Sequence, residues 1–98
     1  MKVSIEGLNK MFENRVRLGI MSVLAVNSSY DFNSFKDTLG VTDGNLASHL
    51  KALEETGLIR VTKQFIGRTP NTSYSITEHG SQLFSMHLKA LENIIRAH

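Results

Sequence analysis

The 98-residue chain contains no cysteine and no long apolar run. The lack of cysteine excludes a disulfide scaffold, a cysteine nucleophile and thiolate metal ligands, and it favours a reducing compartment, so we expect a cytoplasmic location. No segment approaches the ~20 apolar residues of a membrane span, and residues 1–12 lack the apolar run of a signal peptide. Neither a membrane partner nor secretion is therefore expected.

Acidic residues are missing from one stretch of the chain. Between Glu55 and Glu78 there is no Asp or Glu, whereas Arg60, Lys63 and Arg68 lie within that interval. The net charge of the whole chain is only +2, so the positive charge is unevenly placed rather than large. Such a stretch is typical of a nucleic-acid-binding surface, although a solvated pair of strands with ordinary lysines has the same composition.

Catalytic signatures are also missing. The chain has no phosphate-cradling glycine loop, and it has no nucleophile–base pair or paired carboxylates at a recognisable spacing. The adjacent Glu54 and Glu55 point to different faces of a helix. A length of 98 residues with 41% hydrophobic content fits one compact domain. We therefore expect a single non-enzymatic domain over residues 1–98, without a cofactor.

Helical spacing dominates the first half of the chain. Residues 8–12 have helical spacing, and a second helical piece, either continuous with the first or separate, follows Asn14 through the run RVRLGIMSVLAV. After a short extended link at residues 30–32, Asn33 is the predicted N-cap of a short helix, SFKDTL, which Gly40 ends.

A longer amphipathic helix follows. Thr42 is its predicted N-cap, and Asp43 in the first turn adds a negative charge where free backbone amides favour one. Gly57 is expected to end the helix in a left-handed conformation. The apolar face is formed by leucines at i, i+4 and i+7, namely Leu46, Leu50 and Leu53.

Alternation then replaces the helical period. Residues 58–65 alternate in the manner of a half-buried strand, and the alternation resumes over residues 72–77. The breaker cluster at residues 67–71 predicts an antiparallel hairpin with a five-residue tip. Thr77 is the predicted N-cap of a last helix that runs from Glu78 to about Arg96.

The order and spacing of these elements predict a helix-turn-helix over residues 33–57, a wing hairpin over 58–77 and a C-terminal helix over 78–96. The fold class is then mainly helical α+β, with a two- or three-stranded antiparallel wing. In this arrangement the helix over residues 42–57 can lie in the major groove, while residues 63–72 of the hairpin reach the flanking backbone or minor groove.

The polar face of the second helix presents small, hydrogen-bonding side chains. Asn45 and Ser48 can bond base edges, with His49 beside them, whereas Thr42 and Lys51 suit phosphates. An ordinary solvated helix face is the alternative interpretation. With the wing cations included, the predicted DNA-contacting residues are Thr42, Asn45, Ser48, His49, Lys51, Lys63 and Arg68.

The last helix has more apolar surface than one small core requires. Its apolar residues follow a heptad-like line, and together with the apolar N-terminal residues they suggest a symmetric interface between two copies. Two copies would also match two half-sites about one DNA turn apart. The alternative is that this helix folds over its own domain. The predicted interface residues are Leu8, Phe12, Phe84, Leu88, Leu91 and Ile95.

Two segments, LASHLKALEETGLI and FIGRTPNTSYSITEHG, together resemble the small winged-helix regulators related to the MarR and ArsR families, over roughly residues 14–91. The resemblance implies a winged-helix fold, DNA binding through the helix from Thr42 to Gly57 and the wing around Arg68, and dimerisation through the terminal helices. A homodimeric transcriptional regulator that binds double-stranded DNA, acting as a repressor, is therefore expected. The alternative is a winged helix that binds proteins and not DNA.

The sequence departs from the metal-sensing members of the ArsR group. Those members use cysteine or clustered histidine and carboxylate ligands, but this chain has no cysteine and its four histidines stand at positions 49, 79, 87 and 98. His79 and His87 are separated by about 12 Å along a helix, too far to share an ion within one chain. We therefore expect no metal site, and the sequence assigns no small-molecule effector.

Overall fold

A computed structural model describes residues 4–97 of the chain. The described elements share one core, and their strands form an antiparallel sheet in which the last strand along the chain lies between the first two. This is the predicted mainly helical α+β fold, and the sheet has three strands. The elements are a 3-10 turn (Lys10–Phe12), α1 (Arg15–Val26), β1 (Tyr30–Asp31), α2 (Phe32–Leu39), α3 (Asp43–Glu55), β2 (Ile59–Ile66), β3 (Thr69–Ile76) and α4 (Glu78–Arg96).

Side-chain caps define where the helices begin. The Asn14 side chain accepts hydrogen bonds from the amides two and three residues ahead, at 2.9 and 3.1 Å, and thereby separates α1 from the preceding 3-10 turn. Thr42 and Thr77 each accept from the amide three residues ahead, at 3.3 and 2.9 Å. Caps of this kind stabilise a helix by about 1 kcal/mol. Both threonine caps agree with the sequence prediction.

The cap of α2 differs from the prediction. Asp31, not Asn33, is the N-cap, and its Oδ1 accepts a hydrogen bond from the Ser34 amide at 2.7 Å. Asp31 is the last residue of β1, where pairing with Ser73 of β3 holds its backbone extended. An N-cap residue needs this extended backbone, so the helix begins directly after the strand and Asn33 lies inside the first turn.

The tip of the hairpin is also shorter than predicted. β2 and β3 pair up to Ile66 and Thr69, which leaves a two-residue turn with Gly67 at φ 65°. Antiparallel pairs alternate between those that exchange hydrogen bonds and those that do not, so the Phe65–Pro70 pair next to this turn exchanges none. Pro70 therefore continues the strand without a missing bond, which the prediction of a proline-broken tip overlooked.

The core lies between α1, α3 and the base of the hairpin. All three leucines of the predicted apolar face of α3 are buried there, with Ile59 at the start of β2. Farther along the same face of β2, Phe65 is exposed, because the outer half of the hairpin extends beyond the packed helices. The half-buried strand predicted over residues 58–65 is therefore half-buried only near its beginning. The molecule is elongated, measuring 59 × 25 × 21 Å.

The beginning of α4 packs tightly on the turn that ends α3. Gly57 has φ 76°, as predicted for the residue that ends the helix. The Thr77 hydroxyl donates to the Gly57 carbonyl at 2.7 Å, and the Thr77 amide donates to the Leu58 carbonyl at 3.1 Å. A Cβ built on Gly80 would lie 2.8 Å from the carbonyl carbon of Leu58 and closer still to its oxygen. Only glycine fits at position 80 without movement of the backbone.

The N-terminal segment packs on the middle of α4. The rings of Phe12 and Phe84 meet edge to face, with centroids 5.2 Å apart, and both side chains are buried. His87 is also buried, and its Nδ1 accepts a hydrogen bond from the Asn9 amide at 3.0 Å. Burial lowers the pKa of His87 and so favours the neutral ring that accepts this bond. Phe12 and Phe84, which the sequence assigned to a dimer interface, therefore pack inside a single chain.

Candidate nucleic-acid interface

The helix-turn-helix is held by a glycine and an ion pair. Gly40, at φ 63°, ends α2 and donates its amide hydrogen to the Lys36 carbonyl at 2.8 Å. The Lys36 ammonium forms a salt bridge with Asp43, the first residue of α3, and the hydrogen bond to Asp43 raises the pKa of Lys36. Lys36 thus links α2 to α3 across the turn.

The face of α3 opposite its leucines is open to solvent. Asn45, Ser48 and Lys51 are all exposed, and their spacing of three residues places them side by side along the helix. Thr42 is exposed at the beginning of the same helix. Gly44 lies in open space, where an added Cβ would meet nothing within 4 Å. This strip combines donors and acceptors with little side-chain bulk, so another backbone or a base edge can approach it closely.

His49 lies beside this strip, and its ring contacts an arginine of α1. Its Nδ1 is 3.0 Å from Nη1 of Arg17 on α1, and the Arg17 Nε donates to the Met11 carbonyl at 2.7 Å. Arginine can only donate, so the His49 Nδ1 accepts and the ring proton of neutral His49 is on Nε2. Burial, and then the Arg17 charge, lower the pKa of His49. Sequence reasoning missed Arg17, because no local pattern pairs residues 32 positions apart.

The hairpin brings Lys63 next to Lys51 of α3. Lys51 of α3 and Lys63 of β2 line one groove of about 300 Å³ between the helix and the hairpin, together with Glu54 and Thr72. Arg68 is exposed at the two-residue turn, at the far end of the hairpin. Lys51 and Lys63 therefore share one groove, whereas Arg68 lies apart from them at the tip of the hairpin.

Within residues 4–97, no three side chains of His, Asp or Glu cluster in a way that would hold a metal ion. The described helices also include none with the length and apolar character required to cross a bilayer.

These features define a winged helix: a helix-turn-helix, then a two-stranded wing that pairs with a short first strand, then a C-terminal helix. The chain belongs to the family of winged helix DNA-binding domains, whose match covers residues 16–95. The winged-helix fold that the resemblance implied is therefore confirmed.

Two archaeal proteins and one bacterial protein illustrate the similarity. An uncharacterized protein from Methanocaldococcus jannaschii is 37% identical over 79 residues, which is 81% of this chain and 86% of that protein. A transcriptional regulator homologue from Pyrococcus horikoshii OT3 is 34% identical, with a TM-score of 0.83 over 89% of this chain and 86% of that one. YusO from Bacillus subtilis shares the fold at 19% identity, with a TM-score of 0.81 over 95% of this chain and 65% of that one.

Proposed function

We propose that the chain is a homodimeric transcriptional regulator, a repressor, that binds specific sequences of double-stranded DNA. In this proposal α3 lies in the major groove and the wing contacts the flanking backbone or minor groove. The protein acts as one cytoplasmic domain, by binding and not by catalysis.

The observation that carries the proposal is the pairing of the α3 strip with the basic wing. The strip is uncharged apart from Lys51, which suits contact with base edges, and the hairpin next to it has no acid between Glu55 and Glu78. Lys51 and Lys63 line the same groove and outnumber its one acid, Glu54, so a polyanion following that groove would meet both cations. A protein-binding surface has no comparable need for a run of 22 residues, 56–77, without an acid.

The geometry supports different roles for the predicted residues. Asn45 and Ser48 are the base-reading candidates, because Asn can bond adenine through two atoms and Ser can bond several base edges. Thr42, Lys51 and Lys63 suit phosphates. His49 is better placed to support α3 through Arg17 than to reach a base, since its Nδ1 already has a partner.

Fluorescence anisotropy of a labelled mixed-sequence duplex tests DNA binding without a known operator. Titrations at low and at near-physiological salt should give affinities that fall steeply as salt rises, because each neutralised phosphate releases counterions. A winged helix that binds only proteins would leave the anisotropy unchanged even at low salt.

Arg68→Ala should weaken binding by about 1–3 kcal/mol, similarly on every duplex, because a tip arginine contacts backbone or groove rather than one base pattern. Asn45→Ala is the matched comparison on the α3 strip, and it should mainly relax base preference after selection from a random pool. Both side chains are exposed, so neither variant should unfold. Unchanged affinity of the Arg68 variant would mean that the wing does not contact DNA.

Apolar residues that remain exposed on α4 support the dimer. Leu88 and Ile95 are 46% and 72% exposed, in contrast to the buried Phe84 on the same helix. Leu8 and Leu91, both half-buried, line an open groove next to them. A second copy packed on this surface would remove it from water and present two α3 helices to two half-sites.

Replacing Leu88 and Ile95 together by serine should weaken dimerisation by roughly 2 kcal/mol or more, because each apolar side chain buried on association contributes about 1–3 kcal/mol. Sedimentation equilibrium of the double variant should show monomers at concentrations where the wild type is dimeric. Val26→Ser is the control, since Val26 is 81% exposed at the end of a different helix, α1. A dimer that survives the double substitution places the interface elsewhere.

A further inference from the structure

Two large apolar side chains project from the end of the wing. Phe65 is 71% exposed and Ile66 is 63% exposed, directly before the turn at Gly67 and Arg68. The hairpin extends beyond the packed helices here, so neither side chain adds to the core. Folding therefore does not explain an aromatic residue at this position, whereas contact with a partner would.

The strand register separates these two side chains onto opposite faces. Phe65 lies on the same face of β2 as Val61 and Lys63, and Pro70 is its cross-strand partner. Val61 on this face packs against the core, and with Lys63 it lines the groove beside α3. The Phe65–Pro70 pair therefore forms an apolar ridge on the side of the hairpin that faces α3, whereas Ile66 points to the other side.

The charges around the ridge identify the kind of partner. Lys63 precedes Phe65 by two residues and Arg68 follows it by three, and no acid lies between Glu55 and Glu78. Apolar tips flanked by cations are what a DNA minor groove accommodates, since its floor of sugars and base edges is bordered by phosphates on both sides. An apolar protein surface would not pair with the cations, and an acidic peptide would not contact the apolar ridge.

We infer that Phe65, supported by the rigid ring of Pro70, is a wedge that enters the minor groove and partly unstacks one base step. Lys63 and Arg68 pair with the phosphates on either side. Apolar wedges of this kind kink the duplex by about 20–90°. Pyrimidine–purine steps are the easiest to unstack, so the wedge also favours such a step at a fixed distance from the bases contacted by α3. The inference rests on the proposed function, because it requires the wing to touch DNA.

Stretching of single DNA molecules of mixed sequence, several kilobases long, tests the wedge without a known operator. Bound wild-type protein should lower the apparent persistence length of the DNA well below its free value of about 50 nm. Phe65→Ala should restore that value at equal occupancy and weaken binding about 5- to 150-fold, the range of one base–aromatic stacking contact. Ile66→Ala, a matched loss of an exposed apolar side chain on the opposite face, should bend DNA as the wild type does.

The outcomes distinguish the wedge from the proposed function. No binding at low salt would refute the proposed function itself. Binding without any change in persistence length, or a Phe65 variant that bends DNA as the wild type does, would overturn the wedge and leave DNA binding intact. Equal loss of bending in both variants would overturn the assignment to the Phe65 face. Thermal unfolding of both variants should match the wild type, because neither side chain is in the core.

Discussion

Replacing Gly80 by alanine is expected to destabilise the protein by about 3 kcal/mol, the upper end of what overpacking costs. The added methyl group would meet the backbone carbonyl of Leu58, and a backbone carbonyl cannot move aside as the end of a side chain can. That carbonyl also accepts the Thr77 amide, so a shift would break the hydrogen bond that joins α4 to the end of α3.

Thermal unfolding followed by circular dichroism measures the effect, and the midpoint should fall by roughly 12–24 °C for a chain of this size. Gly44→Ala is the matched control, because Gly44 also lies in the first turn after a threonine N-cap but in open space. Alanine has the higher helix propensity, so the control should gain up to about 1 kcal/mol. Equal midpoints for the two variants would mean that α4 does not pack on Leu58.

Features determined by neighbouring residues could be predicted from the sequence. The caps at Thr42 and Thr77 need only a hydroxyl and the amide three residues ahead, and the end of α3 at Gly57 needs only a left-handed residue. The leucine spacing of α3 likewise determines which face is buried, and hence that Asn45, Ser48 and Lys51 are exposed. This local information was sufficient to predict α3 and its exposed polar strip.

Features determined by distant pairing could not be predicted in this way. The cap at Asp31 depends on β1 pairing with β3, about 40 residues later, which sets the backbone of Asp31. The two-residue turn at the hairpin tip depends on the strand register, which places Pro70 in a pair that exchanges no hydrogen bonds. The contact between Arg17 and His49 joins two helices with no shared pattern. In each case the partner that determines the feature lies on another element. It is too far along the chain for sequence periodicity to indicate the contact.

The division of apolar residues between buried and exposed positions also depends on distant contacts. Phe84 and Leu88 lie one helical turn apart on the heptad-like line of α4, and the spacing treats them alike. The packing of the N-terminal segment helps to distinguish them, because Phe12 covers Phe84, whereas Leu88 is exposed. Sequence periodicity indicates that a helix face is apolar, whereas tertiary packing determines which residues cover that face.

Phe12→Ala is expected to lower the free energy of unfolding by about 3–5 kcal/mol, the usual cost of truncating a buried phenylalanine. Phe12 is 1% exposed, and its ring contacts Phe84 and His87 on α4. Loss of the ring would leave a cavity between the N-terminal segment and α4 and weaken the packing that orders Asn9 against His87.

Urea denaturation at two widely separated protein concentrations distinguishes a core role from an interface role. A residue that packs inside one chain lowers stability by the same amount at both concentrations, whereas an interface residue acts through the monomer–dimer equilibrium and its effect depends on concentration. Phe65→Ala, the same substitution at an exposed phenylalanine, should leave the unfolding midpoint unchanged. A Phe12 variant that unfolds like the wild type but sediments as a monomer would return Phe12 to the dimer interface and contradict the packing of the N-terminal segment on α4.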